Sequence, residues 1–326
     1  MLRIVPAVIA FSFDPVVSIG GINVRLETIG IAAAAFIALV VAGVIARSTP
    51  VDLAWPADAP GHEPGERNHL RADDLLYIAV AALPGAVVGG RIGYVLLHWD
   101  FYQANPGLVA AVGQGGFQLS LAVAGGFLTA GIVAALLGSP VGRWMHALVV
   151  PVLLGIAIGK AALILGGTGQ GTASDATWAT AYLGAGPWGS LAPALPSHPS
   201  QAYEAIATVV VILAVMAVVE LGAFPGRNGG AFLLGIALWC GARAAIAMTW
   251  RDRAVLGPLS MDQVISLSIA AACVLLLLLA GGASAVRGRR RGSDDDAPAG
   301  TAAAATPVLA ADPAGDWPDP ATRPRI

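Results

Sequence analysis

Three cations stand inside long apolar runs of this 326-residue chain: Arg91, Lys160 and Arg243. An ionisable side chain in such a run is expensive to keep there and marks a candidate site. Two carboxylates, Glu27 and Glu204, open two further apolar runs. Glu204 closes the segment Ser197-His198-Pro199-Ser200-Gln201-Ala202-Tyr203-Glu204. There Pro199 suits the first position of a helix, and the positive end of that helix's dipole favours a nearby anion. His198 either caps this helix or acts in the site. Three cations against two carboxylates leave positive charge over for an anion, most simply a lipid phosphate. Arginine suits that task because its planar fork binds two oxygens. On this reading Arg91, Lys160 and Arg243 hold phosphate, with Tyr94, Gln201 and Tyr203 as polar neighbours. A purely structural ion network accounts for the same residues and stays open at this point.

The elements that must position these groups follow from composition and hydropathy. Apolar residues make up 56% of the chain and charged residues only 12%, against about 25% charged in soluble domains. Mean hydropathy is +0.74. A soluble fold would lack the polar surface to cover itself, and a net charge of −2 gives no general attraction to nucleic acid. A bilayer core takes about 20 apolar helical residues. Seven such segments are predicted, at roughly 27–46, 75–97, 119–138, 144–166, 202–221, 229–249 and 261–282. The expected fold is therefore an all-α polytopic membrane protein: a lead-in over 1–26, a seven-helix domain over 27–282, and a disordered, Asp- and Ala-rich cytoplasmic tail over 283–326. Residues 48–73 form a polar loop, and residues 167–201 a large loop free of Lys and Arg but bearing Trp178, Tyr182 and Trp188, as interfacial segments do. Residues 4–13 are apolar, but Asp14 and Pro15 follow without a cleavage pattern, so no signal peptide is expected.

Lysine and arginine counts set the orientation. With the N-terminus outside, the inner loops hold Arg47, Arg67, Arg71, Arg143, Arg227 and the basic stretch Arg287–Arg291, while the outer segments hold only Arg3, Arg25, Arg251 and Arg253. The expectation is N-terminus out and C-terminus in. It gathers Glu27, Arg91, Tyr94, Gln118, Ser120, Lys160, His198, Gln201, Tyr203, Glu204 and Arg243 near the outer leaflet. Glycine pairs flank this depth, in Gly89-Gly90-Arg91-Ile92-Gly93-Tyr94 and Gly125-Gly126, and let helices approach closely. Gly166-Gly167-Thr168-Gly169-Gln170-Gly171 follows no strand and is not read as a nucleotide loop. Cys240 and Cys273 lack metal-ligand spacing, and nothing in the sequence calls for a metal or cofactor.

These motifs, in this order, resemble the bacterial prolipoprotein diacylglyceryl transferases over roughly residues 11–282. Phe13-Asp14-Pro15 and Ser18-Ile19-Gly20 come first, then Gly89-Gly90-Arg91-Ile92-Gly93-Tyr94. His198-Pro199-Ser200-Gln201-Ala202-Tyr203-Glu204 matches that family's most specific motif. Gly241-Ala242-Arg243 matches its essential arginine, and Leu259-Ser260-Met261-Asp262-Gln263 its last-helix motif. The resemblance implies seven helices and the transfer of a diacylglyceryl group from phosphatidylglycerol to the lipobox cysteine thiol of prolipoproteins, which arrive with their signal peptides in the bacterial cytoplasmic membrane. Cations would steady the leaving phosphate, and a base would help form the thiolate. Arg243 is the implied catalytic arginine, with His198, Glu204 or Glu27 as the candidate base.

The chain also departs from the family pattern. Ala124 precedes Gly125-Gly126 where the family has His. Lys160 stands in place of Arg in a helix that has also lost two Asn and a Glu. Glu27 replaces Tyr, and Ala247 replaces a Glu four residues after Arg243. Two other readings therefore accompany the transferase: a phospholipid- or lipoprotein-binding membrane protein of the same fold without the chemistry, and a small-solute transporter or seven-helix receptor. The last is disfavoured by the few polar residues in the inner halves of the predicted helices.

Overall fold

The computed structural model describes residues 8–51, 68–114 and 116–295. Most of the expected polar loop and the expected tail beyond 295 lie outside the described residues. The chain opens with three short strands, β1 (Ile9–Phe11), β2 (Val16–Ile19) and β3 (Ile22–Arg25), and enters α1 (Leu26–Ser48) directly. β4 (Pro50–Val51) pairs with β5 (Asn68–His69) before α2 (Ala72–Leu97), the short α3 (Trp99–Ala104), α4 (Leu119–Leu136) and α5 (Val141–Ala162). Then come β6 (Thr180–Tyr182), α6 (Ser200–Glu220), α7 (Gly230–Ile246), the hairpin β7 (Ala254–Leu256) and β8 (Leu259–Ser260), and α8 (Met261–Asp295). The chain divides into the units Met1–Leu279 and Ala280–Ile326; of the second, residues 280–295 are helical.

Among the described residues, seven helical spans are long and apolar enough to cross a membrane. They are Leu26–Ser48, Ala72–Leu97, Leu119–Leu136, Val141–Leu165, Ser200–Glu220, Gly230–Thr249 and Met261–Gly281, each within a few residues of its predicted counterpart. Their outward faces carry Phe36, Leu83, Leu128, Leu136, Leu213 and Leu278, all exposed. In water such a surface would be untenable; in a bilayer it is the lipid-facing wall. The fold is thus an all-α polytopic membrane bundle.

Glycine decides where the helices touch most closely. A Cβ on Gly89 of α2 would collide with the Leu121 carbonyl of α4, and one on Gly125 of α4 with the Gly85 carbonyl of α2. A Cβ on Gly30 of α1 would run into Ala162 of α5. With no hydrophobic drive between helices in lipid, such small-residue seams let backbones pack. Elsewhere the bundle is filled by larger groups: Val149 and Leu153 of α5, Val211 and Val215 of α6, and Ile236 and Trp239 of α7 form one buried cluster.

The described part of the lead-in consists of short strands. Gly20 and Gly21, at φ 59° and 82°, make the two-residue turn between β2 and β3; both positions need positive φ, which glycine supplies without strain. β1 pairs in parallel with β6, in register Ile9 with Thr180 through Phe11 with Tyr182. Phe11 stacks on Tyr182 at 5.1 Å, Tyr182 lies 4.8 Å from Trp188, and Phe13 lies edge-on to Trp188 at 5.3 Å. The N-terminal segment and the 167–201 loop therefore form one structure, which predicted spans alone do not reveal.

Candidate functional site

Four helix ends meet in one buried ionic cluster. Lys160, in the last turn of α5, places its Nζ 3.0 and 2.9 Å from the two carboxylate oxygens of Glu204 on α6. Arg243, in the last turn of α7, donates from Nη1 to Glu204 Oε2 at 2.6 Å and from Nη2 to Asp262 Oδ1 at 3.1 Å. Lys160 and Arg243 lie in the last turns of their helices and Asp262 in the first turn of α8, where the dipole favours each, while Glu204 lies just past the first turn of α6. Arg243 is 5% exposed, Glu204 3% and Asp262 1%, so the desolvated charges depend on one another. The Trp250 ring lies 4.5 Å from the Arg243 guanidinium carbon and 5.8 Å from Lys160 Nζ, within cation–π range.

The cluster's charge differs from the sequence expectation. Lys160 and Arg243 face Glu204 and Asp262, two positive against two negative, with no surplus in the quartet. Asp262, from the motif that opens the last span, joins the cluster as a site residue that the sequence reading does not include. Its signal was the one that flagged Glu27 and Glu204: an ionisable residue at the mouth of an apolar run. Gln118 Nε2 donates to Asp262 Oδ1 at 2.9 Å, and Ser266 Oγ to Asp262 Oδ2 at 3.4 Å. Arg243 Nε is buried without a hydrogen-bond partner among the described residues, leaving one donor unmet beside the cluster.

The residues preceding Glu204 fix the 167–201 loop onto α6. Gln201 is buried and donates from Nε2 to the Tyr182 hydroxyl at 2.9 Å, while its Oε1 finds no partner among the described residues. Burial pushes the Tyr182 hydroxyl up to about 12, against a smaller opposing pull from the Gln201 hydrogen bond. Ser200 Oγ shares a 2.7 Å hydrogen bond with Thr249 Oγ1, joining the α6 start to the α7 end. Tyr203 Oη accepts from Trp178 Nε1 at 2.7 Å and lies 3.3 Å from His198 Nδ1. His198 is only partly buried, at the rim where the loop meets the helix.

Other expected site residues are engaged elsewhere. Arg91 is buried, but its guanidinium donates to backbone carbonyls: Nε to Val109 at 2.8 Å, Nη2 to Leu108 at 2.7 Å and Nη1 to Gly116 at 3.5 Å. The Tyr94 and Tyr102 rings lie 5.8 and 5.1 Å from its central carbon. Arg91 and Tyr94 thus brace the segment between α2 and α4. Glu27 is ion-paired with Arg25 at 2.7 Å and accepts from Thr168 Oγ1 at 2.7 Å, pinning the glycine-rich turn after α5. Of the expected phosphate holders the structure joins Lys160 and Arg243, through Glu204. Among the described residues no group of three or more His, Cys, Asp or Glu is placed to hold a metal.

The chain is similar in sequence to several curated proteins. The phosphatidylglycerol–prolipoprotein diacylglyceryl transferase of Streptococcus mutans is 36% identical over 67 residues, covering 21% of this chain and 24% of that protein. The enzyme of the same name from Lactiplantibacillus plantarum is 36% identical over 72 residues, 22% and 24% of the two chains. That of Acaryochloris marina is 32% identical over 111 residues, 33% and 40%. The matched stretches therefore span from about a quarter to two-fifths of these curated relatives. The model of the family described as prolipoprotein diacylglyceryl transferase matches residues 15–279, which takes in all seven spans but the last two residues of the seventh, and the chain belongs to that family.

Proposed function

We propose that this protein moves a diacylglyceryl group from phosphatidylglycerol to the lipobox cysteine of a prolipoprotein. It would work in the bacterial cytoplasmic membrane, with its N-terminus outside and the ionic cluster near the outer leaflet. The observation that carries the reading is the Lys160–Glu204–Arg243 junction, where three helices bring two cations to one carboxylate. An incoming lipid phosphate competes for the same donors. As it takes Lys160 and Arg243, Glu204 is left without its two ion-pair partners. The freed carboxylate then accepts the thiol proton. The thiolate sulfur attacks the glyceryl carbon that bears the phosphate oxygen, the C–O bond breaks, and glycerol phosphate leaves with its new charge held by Arg243 and Lys160. Lys160 offers a point charge where arginine would offer a fork, so orientation of the phosphate falls mainly to Arg243. Glu27, bound by Arg25 and Thr168, is less available as a base.

The neutral balance of the quartet also favours a second reading: a phospholipid- or lipoprotein-binding protein of the same fold, in which the ion network is structural. Complementation separates the two. In bacteria depleted of their own transferase, expression of this chain is expected to add a diacylglyceryl mass to a reporter prolipoprotein, read by mass spectrometry. Arg243→Ala is expected to abolish it. A folded, membrane-inserted wild type that adds no mass would favour the binding reading.

A further inference from the structure

The two carboxylates of the quartet are held differently. Among the described residues the Glu204 carboxylate has only the two cations as partners. Asp262 has Arg243 and, besides it, Gln118 and Ser266. Those two are themselves fixed. Gln118 Oε1 caps α4 by accepting from the Leu121 amide at 2.7 Å, and Ser266 shares a 2.9 Å hydrogen bond with Ser120. A Cβ on Gly93 would press on the Gln118 side chain, so α2 closes over this latch. Glu204 is held through its two ion pairs alone, which a phosphate can replace; Asp262 is held in addition by hydrogen bonds from Gln118, the cap of α4, and from Ser266 of its own helix. The helix that carries Arg243 supplies no counter-charge of its own: position 247, one turn on and on the same face, is a buried alanine.

We infer that Asp262 is a positioning residue of the site, the fixed partner that keeps Arg243 aimed while Glu204 exchanges its cations for the phosphate. A neighbouring helix thus provides the carboxylate that α7 lacks. The inference rests on the transferase reading for its kinetic readout only.

The test uses full-length protein in phosphatidylglycerol vesicles with a lipobox peptide. Asp262→Asn is expected to lower kcat by about tenfold or more, as loss of one charged hydrogen bond does, while KM for phosphatidylglycerol moves much less because Lys160 still holds charge. Restoring a carboxylate is expected to restore kcat, through Asp262→Glu or through Ala247→Glu in the Asp262→Asn background. Gln118→Met, which unlatches Asp262 while keeping every charge, is expected to lower kcat with KM held, and decides the matter if Asp262→Asn does not accumulate. Unchanged kcat in Asp262→Asn, or a loss that neither carboxylate rescues, overturns the inference. If the wild type does not turn over, the transferase reading fails. The anchor is then judged by phosphatidylglycerol retention in native mass spectrometry, where weaker retention in Asp262→Asn restored by Asp262→Glu supports it and equal retention overturns it.

Discussion

At the scale of single residues, an ionisable group in an apolar run advertises a site but not its partner. Lys160, Glu204 and Arg243 were legible because each lies at a depth where charge must be paired, and the structure pairs them. Arg91 carries the same signal yet spends its donors on the carbonyls of Leu108, Val109 and Gly116. Those acceptors belong to a segment whose path no hydropathy pattern predicts. Asp262 carries the same signal as Glu27 at the mouth of a span, but the sequence does not say that its partner is Arg243. One residue prediction concerns pH. Tyr182 keeps its proton in the fold up to about 12 against an ordinary value of 10.0. Its contribution is therefore intact below pH 10; above that the unfolded chain releases a proton that the folded one retains. Stability should fall by about 1.4 kcal/mol per pH unit as pH rises toward 12. Thermal melting of the detergent-solubilised protein across this range is expected to show the decline, and Tyr182→Phe to flatten it.

At the scale of elements, the seven spans were readable because length and apolarity are what a bilayer selects, and the structure ends them near the predicted residues. The short elements were not. β1 and β6 are three residues each, held by each other and by an aromatic cluster rather than by local propensity, and α3 lies in a stretch expected to be loop. The glycine seam between α2 and α4 was visible as a pattern, but its pairing was not, since spacing does not say which helix approaches. The contact is tight enough to test. Gly89→Leu must push aside the Leu121 carbonyl of α4, backbone that cannot rotate away as a side chain can. Overpacking of this kind costs about 1–3 kcal/mol or more. The variant is expected to melt earlier than wild type in detergent, whereas Ala124→Leu, at a half-buried position lining an apolar cavity on the neighbouring face, leaves the seam itself untouched and should melt close to wild type.

At the scale of the whole molecule, the charge distribution between loops predicts the N-terminus outside. Asp175 lies in the loop joined to β1, and Leu221 follows α6 at the opposite end of the bundle; both are exposed. A membrane-impermeant thiol reagent applied to intact cells is expected to label Asp175→Cys, and to label Leu221→Cys only after the membrane is opened. The native cysteines, Cys240 and Cys273, are buried and give little background. The reverse pattern would invert the topology and move the ionic cluster to the cytoplasmic leaflet. The parallel pair of β1 and β6 bears on how such a molecule is made. Ile9 pairs with Thr180, so the first strand leaves the ribosome with its partner still unsynthesised, four membrane spans away. At about 5–20 residues per second that delay is on the order of ten to thirty seconds, during which Ile9–Phe11 has no sheet to join. The joint between loop and lead-in is therefore made late in synthesis, and Ile9–Phe11, made early, find their place only after the fourth span.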